Sequence, residues 1–186
     1  MIKISSFRPE YFNNNGDQGN IEVLSYCLSA QHIEHLVVDQ IKQEDDFVLV
    51  GDASIAAINH YEKELLDLVP LLTSRLADDR ATLLIGRSYE LLAPHLEIQL
   101  QFGARRSEFM KVPTDFGDVM GYHNSELVEP RFFSSGNFFG TTLFGPVLAK
   151  NPQLLKRIAS ALGYQGELQQ WQLGFPAEIS ARTTFG

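Results

Sequence analysis

Apolar and polar positions recur along this chain with two periods, and the switches between them predict its elements. "IKISSF" (Ile2 to Phe7) reads as a first strand, and Pro9 with the polar run "NNNGDQGN" (Asn13 to Asn20) as a loop. A helix follows, with Asp17 and Asn20 as capping candidates, Ile21, Leu24 and Leu28 on one face, and Cys27 within it. "HLVVD" (His35 to Asp39) and "DFVLVGD" (Asp46 to Asp52) are short runs rich in β-branched residues, as buried parallel strands are. Leu65, Leu68, Leu72 and Leu76 predict one long amphipathic helix between Ala56 and Leu76. "ATLLIGRSYELLA" (Ala81 to Ala93) then reads as an apolar strand that stops at Gly86 and turns into a helix.

After Pro94 the texture changes. "EIQLQF", "EFMKV" and "DVMGYHN" alternate with period two, which predicts antiparallel pairing at a sheet edge or in a β-ribbon. "RFFSSGNFFGTTLFGPVLAKNP" leads to a last helix, Gln153 to Tyr164, and "SARTTFG" reads as a flexible tail. This order predicts a three-layer α/β/α, flavodoxin-like architecture, with a mostly parallel sheet, antiparallel edge strands and a site at the carboxyl edge.

Composition narrows the classes. With 186 residues, 44% hydrophobic, the chain has enough apolar material for one globular domain, expected to span 1–186. A formal net charge of −8 and a pI near 5.1 argue against nucleic acid and anionic membranes as partners, leaving proteins and small molecules. A single cysteine, Cys27, excludes an internal disulfide framework and cysteine-rich zinc sites, which suits the cytoplasm. No signal-like run and no stretch approaching about 18 apolar residues is present. His32, His35, His60 and His95 show no metal-ligand spacing with a cysteine or carboxylate, so neither metal nor cofactor is expected.

The turn at Gly86 is where candidate chemistry concentrates, because hydrolases and amidotransferases present a nucleophile at such strand-to-helix turns. No cysteine stands there, and the only hydroxyl is Ser88, which reads either as a helix N-cap or as a displaced nucleophile. Arg87 reads either as a carboxylate or phosphate holder at a helix start or as the ion-pair partner of Asp52 or Glu90. His123, after the strand "DVMGY", is the candidate base, with the alternative of a hydrogen-bonded structural histidine. Arg105 and Arg106 read as a solvated turn, and Phe132, Phe133, Phe138, Phe139 and Phe144 as core packing.

Five segments, in order, resemble one family. The loop "NNGDQGN" is similar to "YGDRGN", "VGDAS" stands where the family has "GGGQD", and "IGRSYELLA" where it has "ICGGYQLLG". "GYHNS" (Gly121 to Ser125) matches "GFENH", and "GNFFGTTLFGPVLAKNP" (Gly136 to Pro152) matches "GNxxGTYLHGPLLPKNP". The chain thus resembles class I glutamine amidotransferase domains of the cobyric acid synthase (CobB/CobQ) type, most of all the GatD-like glutaminase subunit of lipid II isoglutaminyl synthase. The resemblance runs from Ile2 to about Tyr164.

The resemblance implies a site and its loss together. The family's nucleophilic cysteine falls on Gly86, the next glycine on Arg87, the glutamine of the substrate pocket on Glu90, and the catalytic histidine on Phe144. Glutaminase chemistry needs a thiolate, an imidazole and an oxyanion hole. The first two are missing, and Asp52 sets negative charge where the third would form. The implied function is a catalytically degenerate relative acting as a non-catalytic binding or regulatory subunit, with a Mur ligase-like or other synthetase, or a second copy, as partner. Two alternatives stay open: an active amidotransferase or hydrolase using Ser88, and a sensor of an amino acid or anion. The sensor's former glutamine pocket would comprise Gly51, Asp52, Arg87, Tyr89, Glu90, Tyr122, His123 and Asn124.

Overall fold

A computed structural model describes residues 1–166; the "SARTTFG" segment lies outside them. Five parallel strands form the centre: β1 (Ile2–Ser6), β2 (His35–Val38), β3 (Phe47–Val50), β4 (Thr82–Ile85) and β8 (Phe138–Thr141). With β7 (Phe132–Ser135) antiparallel at one edge, their spatial order is β2-β1-β3-β4-β8-β7. Alternation along β3 sends Phe47 and Leu49 to one face and Val48 and Val50 to the other, so both faces are buried.

Helices α1 (Gln18–Ala30), α5 (Val147–Lys150) and α6 (Pro152–Ala161) cover the first face. The second is covered by α2 (Ile55–Asp67), α3 (Val69–Ala77), α4 (Arg87–Leu92) and a 3₁₀ turn, Ala93–Leu96. The architecture is the three-layer α/β class with a mostly parallel sheet that the hydrophobic pattern predicts.

Several expectations are corrected. The helix predicted over Ala56 to Leu76 is two helices, because Pro70 in the first turn of α3 carries no N–H to continue α2, and the chain bends at Leu68. Asp17 flanks α1 but makes no side-chain cap bond, and Asn20 lies inside the helix, where its side chain accepts from Leu148 N at 2.8 Å and ties α1 to α5. "HLVVD" is not a buried strand: β2 is the sheet's outer edge, with Leu36 45% and Val37 47% exposed. "RFFSSGNFFGTT" holds two unforeseen strands, a β7–β8 hairpin that seats Phe138 and Phe139 in the core.

The alternating runs after Pro94 build a second sheet, β5 (Gln101–Thr114), β6 (Gly117–Glu129) and β9 (Leu143–Phe144), in that order. The ribbon is longer than the separate short runs indicate, and Arg105 and Arg106 lie within β5 rather than in a turn. Along β6, Val119, Gly121, His123, Ser125 and Leu127 face inward and the residues between them outward.

Candidate functional site

The order β2-β1-β3-β4-β8 reverses direction between β1 and β3, and ligands of such sheets bind outside the carboxyl ends at that reversal. Three segments meet there: the loop after β1, the turn Gly51–Ser54 after β3, and Gly86 between β4 and α4. They are held tightly. A Cβ on Gly51 would stand 2.1 Å from the Phe12 carbonyl oxygen, so only glycine lets the first two loops touch.

Gly86 has φ +62° and ψ −131°, the sharp strand-to-helix geometry of a nucleophile turn, and its N–H donates to Thr141 O at 2.7 Å. No side chain stands on it, and its place is taken. A Cβ there would lie 2.4 Å from Asp52 Oδ1, so the Asp52 carboxylate fills the space into which a nucleophile would project.

Asp52 is fully buried and bonded on every side. Its Oδ1 accepts from Arg87 N at 2.9 Å, and its Oδ2 from Asn15 Nδ2 at 2.8 Å and Asn14 Nδ2 at 3.2 Å. The Arg87 guanidinium approaches Oδ2 at 3.7 Å and donates to Ala53 O at 3.3 Å, realising the ion-pair reading of Arg87. The N–H following a nucleophile position belongs to the oxyanion hole of such turns. Here that N–H, on Arg87, is spent on an internal carboxylate.

Asp17 completes the cluster. Its Oδ2 accepts from Asp52 N at 3.0 Å, while its Oδ1 is buried without a partner among the described residues. Burial, with the nearby Asp52 charge adding to it, pushes this carboxyl up to about 7, partly offset by the bond from Asp52 N and by Lys150. The sequence marks Asp17 only as a cap candidate; its place in "NNGDQGN" was the signal for more.

Ser88 is buried inside α4 and caps no helix end: its hydroxyl donates to Gly51 O at 2.7 Å, pinning the helix to the end of β3. His123 lies mid-strand in β6 rather than at a strand end, is buried, and shares a 2.9 Å hydrogen bond between Nδ1 and Thr142 Oγ1. Its Nε2 has no partner among the described residues, and burial, reinforced by Arg131, lowers its pKa. No hydrogen bond joins Ser88 to His123 among the described residues. Phe144 is buried in β9 opposite Tyr122 of β6.

Glu90 accepts a hydrogen bond from Ser125, a contact the sequence did not reveal, and burial raises its pKa. Tyr89 is buried, its hydroxyl donating to Pro130 O at 3.2 Å. Tyr122 and Asn124 do not join the others: they lie on the outward face of β6, bonded to Ser107 and Arg105 of β5. Thus Gly51, Asp52, Gly86, Arg87 and Ser88 converge, while two of the expected pocket residues face away. A cleft of about 490 Å³ lies nearby, lined by Arg8, Asp39, Glu64 and Leu68 among others, and includes none of the converging residues.

No family model matches the chain, and a search of curated proteins finds no match. Solved structures do match. A glutamine amidotransferase from Thermotoga maritima superposes with a TM-score of 0.52 at 16% identity, over 92% of this chain and 85% of that one. The structure of PurLQS from the same organism gives 0.51 at 10% identity, over 88% and 98%. The chain has a class I glutamine amidotransferase-like fold.

Proposed function

We propose that this chain is a single glutamine amidotransferase-like unit that has lost its catalytic groups and serves in the cytoplasm as a non-catalytic binding or regulatory subunit of a synthetase. The observation that carries this reading is the Asp52 carboxylate, seated where a side chain on Gly86 would project and bonded to the N–H an oxyanion would need. Phe144, at the position of the family's histidine, supplies no proton shuttle. Loss of a nucleophile in a comparable triad costs on the order of 10⁶ in kcat, so binding alone would sustain no useful turnover. The synthetase partner, Mur ligase-like or otherwise, follows from the CobB/CobQ and GatD resemblance, in which the amidotransferase feeds ammonia to such an enzyme.

The Ser88 hydrolase receives less support, since that hydroxyl is committed to a backbone carbonyl. The sensor also receives less, since Arg87 and Asp52 already satisfy each other. The test is ammonia release from glutamine by the purified chain, alone and with a candidate synthetase, beside Ser88→Ala. Absence of release throughout supports the reading; release abolished by Ser88→Ala overturns it in favour of the hydrolase.

A further inference from the structure

β2 is the outer edge of the parallel sheet, paired on one side with β1 and, among the described residues, with nothing on the other. Its register against β1 is regular along the whole strand, Ile2 to Ser5 lying beside His35 to Val38. Ile2 N donates to Glu34 O at 2.9 Å, so Glu34, Leu36 and Val38 turn their backbone groups toward β1. His35, Val37 and Asp39, the residue after the strand, turn theirs outward. Leu36 and Val37 point to opposite faces of the sheet and are both nearly half exposed. Such an edge is a template for another strand unless its side chains forbid it.

The stretch "EHLVVDQ" (Glu34 to Gln40) has the same chemical pattern read from either end. In a closed dimer of antiparallel strands the two-fold axis stands normal to the sheet and returns each face to itself. The axis then passes through one residue, which meets its own copy, and residues equally far before and after it face each other. An axis on Val37 sets Val37 against Val37, Leu36 against Val38, His35 against Asp39 and Glu34 against Gln40. Every apolar side chain then meets an apolar one, each imidazole meets a carboxylate, and no like charges oppose each other. A shift of one residue loses this match. An axis on Leu36 sets Glu34 against Val38 and Ile33 against Asp39, and an axis on Val38 sets Val37 against Asp39. With the axis on Val37, the outward N–H and C=O groups of His35, Val37 and Asp39 also face those of Asp39, Val37 and His35 in the copy, as hydrogen-bonded pairs require.

We propose that β2 pairs antiparallel with β2 of a second copy, centred on Val37, joining two six-stranded sheets into one continuous sheet. This does not rest on the functional reading above. A strand of four residues buries less than a permanent interface does, so the dimer is concentration-dependent.

Sedimentation of the full chain over a concentration series is expected to show a reversible monomer–dimer equilibrium. Val37→Lys sets two ammonium groups at the axis and leaves a monomer, whereas Val37→Thr keeps a β-branched side chain and leaves the dimer. Asp39→His opposes imidazoles and weakens the dimer, and adding His35→Asp restores it. Directly opposed residues of a hydrogen-bonded pair have Cα atoms about 5.5 Å apart, within disulfide reach. Val37→Cys is therefore expected to form a disulfide-linked dimer on mild oxidation, while Glu62→Cys, exposed on α2, does not; the native Cys27 is buried. A dimer indifferent to Val37→Lys, a swap of His35 and Asp39 that restores nothing, or equal crosslinking at both cysteines overturns the proposal. A monomer at every concentration also overturns it, and a Val37 N–H that resists hydrogen exchange in that monomer assigns the edge to another segment of the chain. Ammonia release is silent on these outcomes, so the two readings fail separately.

Discussion

The two ends of the parallel sheet each hold a fully buried charged side chain in a mesh of hydrogen bonds, Arg75 at one and Asp52 at the other, but the meshes differ in what they hold. At the amino end, Arg75 is fully buried: it donates to Asp45 O at 2.6 Å, Ala81 O at 2.7 Å, Thr82 Oγ1 at 2.9 Å and Gln43 O at 3.4 Å. Those acceptors stand just before β3 and at the start of β4, so one guanidinium fastens the strand starts. At the carboxyl end, Asp52 receives N–H groups from two loops, beside a turn whose geometry is costly for any residue but glycine. One end uses a charge to close backbone that would otherwise lie unpaired; the other uses a charge to fill the space beside a turn that carries no side chain. A turn without a side chain stays supported when a neighbouring carboxylate fills its space and takes up its N–H group.

The largest effect that would sharpen this contrast comes from refilling the turn. Gly86→Cys is expected to cost about 3 kcal/mol or more, since it adds a side chain at φ +62° against the Asp52 carboxylate. Adding Asp52→Gly should recover part of that loss, and denaturant unfolding of both variants measures it. Parent-like stability of Gly86→Cys would break the claim that Asp52 occupies the space a side chain on Gly86 would need.

At the opposite end, Arg75→Met is expected to cost roughly 3 kcal/mol, because buried carbonyls lose their donor. A cost near zero would mean that the strand starts hold without the guanidinium. Burial lowers this arginine to about 10, so it stays charged at neutral pH and the cost should not change between pH 5 and 8.

The carboxyl end, by contrast, should depend on pH. Asp17 is raised from 3.8 to about 7, so the native state holds its proton more tightly than the unfolded chain. Its contribution is intact below about pH 4 and is lost as pH rises through about 7. Asp17→Asn keeps an acceptor for Asp52 N and cannot ionise. It is expected to match the parent near pH 4 and to exceed it by roughly 2–4 kcal/mol above pH 7. Urea titrations across that window check it, and a gap that does not vary with pH would refute the assignment.

The smallest effect is expected from Ser88→Ala, about 1 kcal/mol for the lost bond to Gly51 O. Thermal melts measure it. A much larger loss would place Ser88 among the principal supports of the turn.

Much of the parallel sheet was legible in the sequence, because β3 and β4 are continuous apolar runs and the Gly86 turn punctuates one of them. The α2–α3 break was masked by a leucine pattern that continues through it, although Pro70 marked the place. β7 and β8 were hidden because their aromatic residues read equally well as core filling. By itself the sequence determined the α/β class, the strand-to-helix turn, and the absence of cysteine and histidine from positions 86 and 144. Only the tertiary structure decided that Asp52 lies under Gly86, that Asp17 meets Asp52, that Ser88 bonds to Gly51, and that Tyr122 and Asn124 face outward. Periodicity reports which face of an element is apolar, whereas these contacts join loops 34 to 37 residues apart in the chain. Their geometry exists only once parallel strands have brought those loops to one edge.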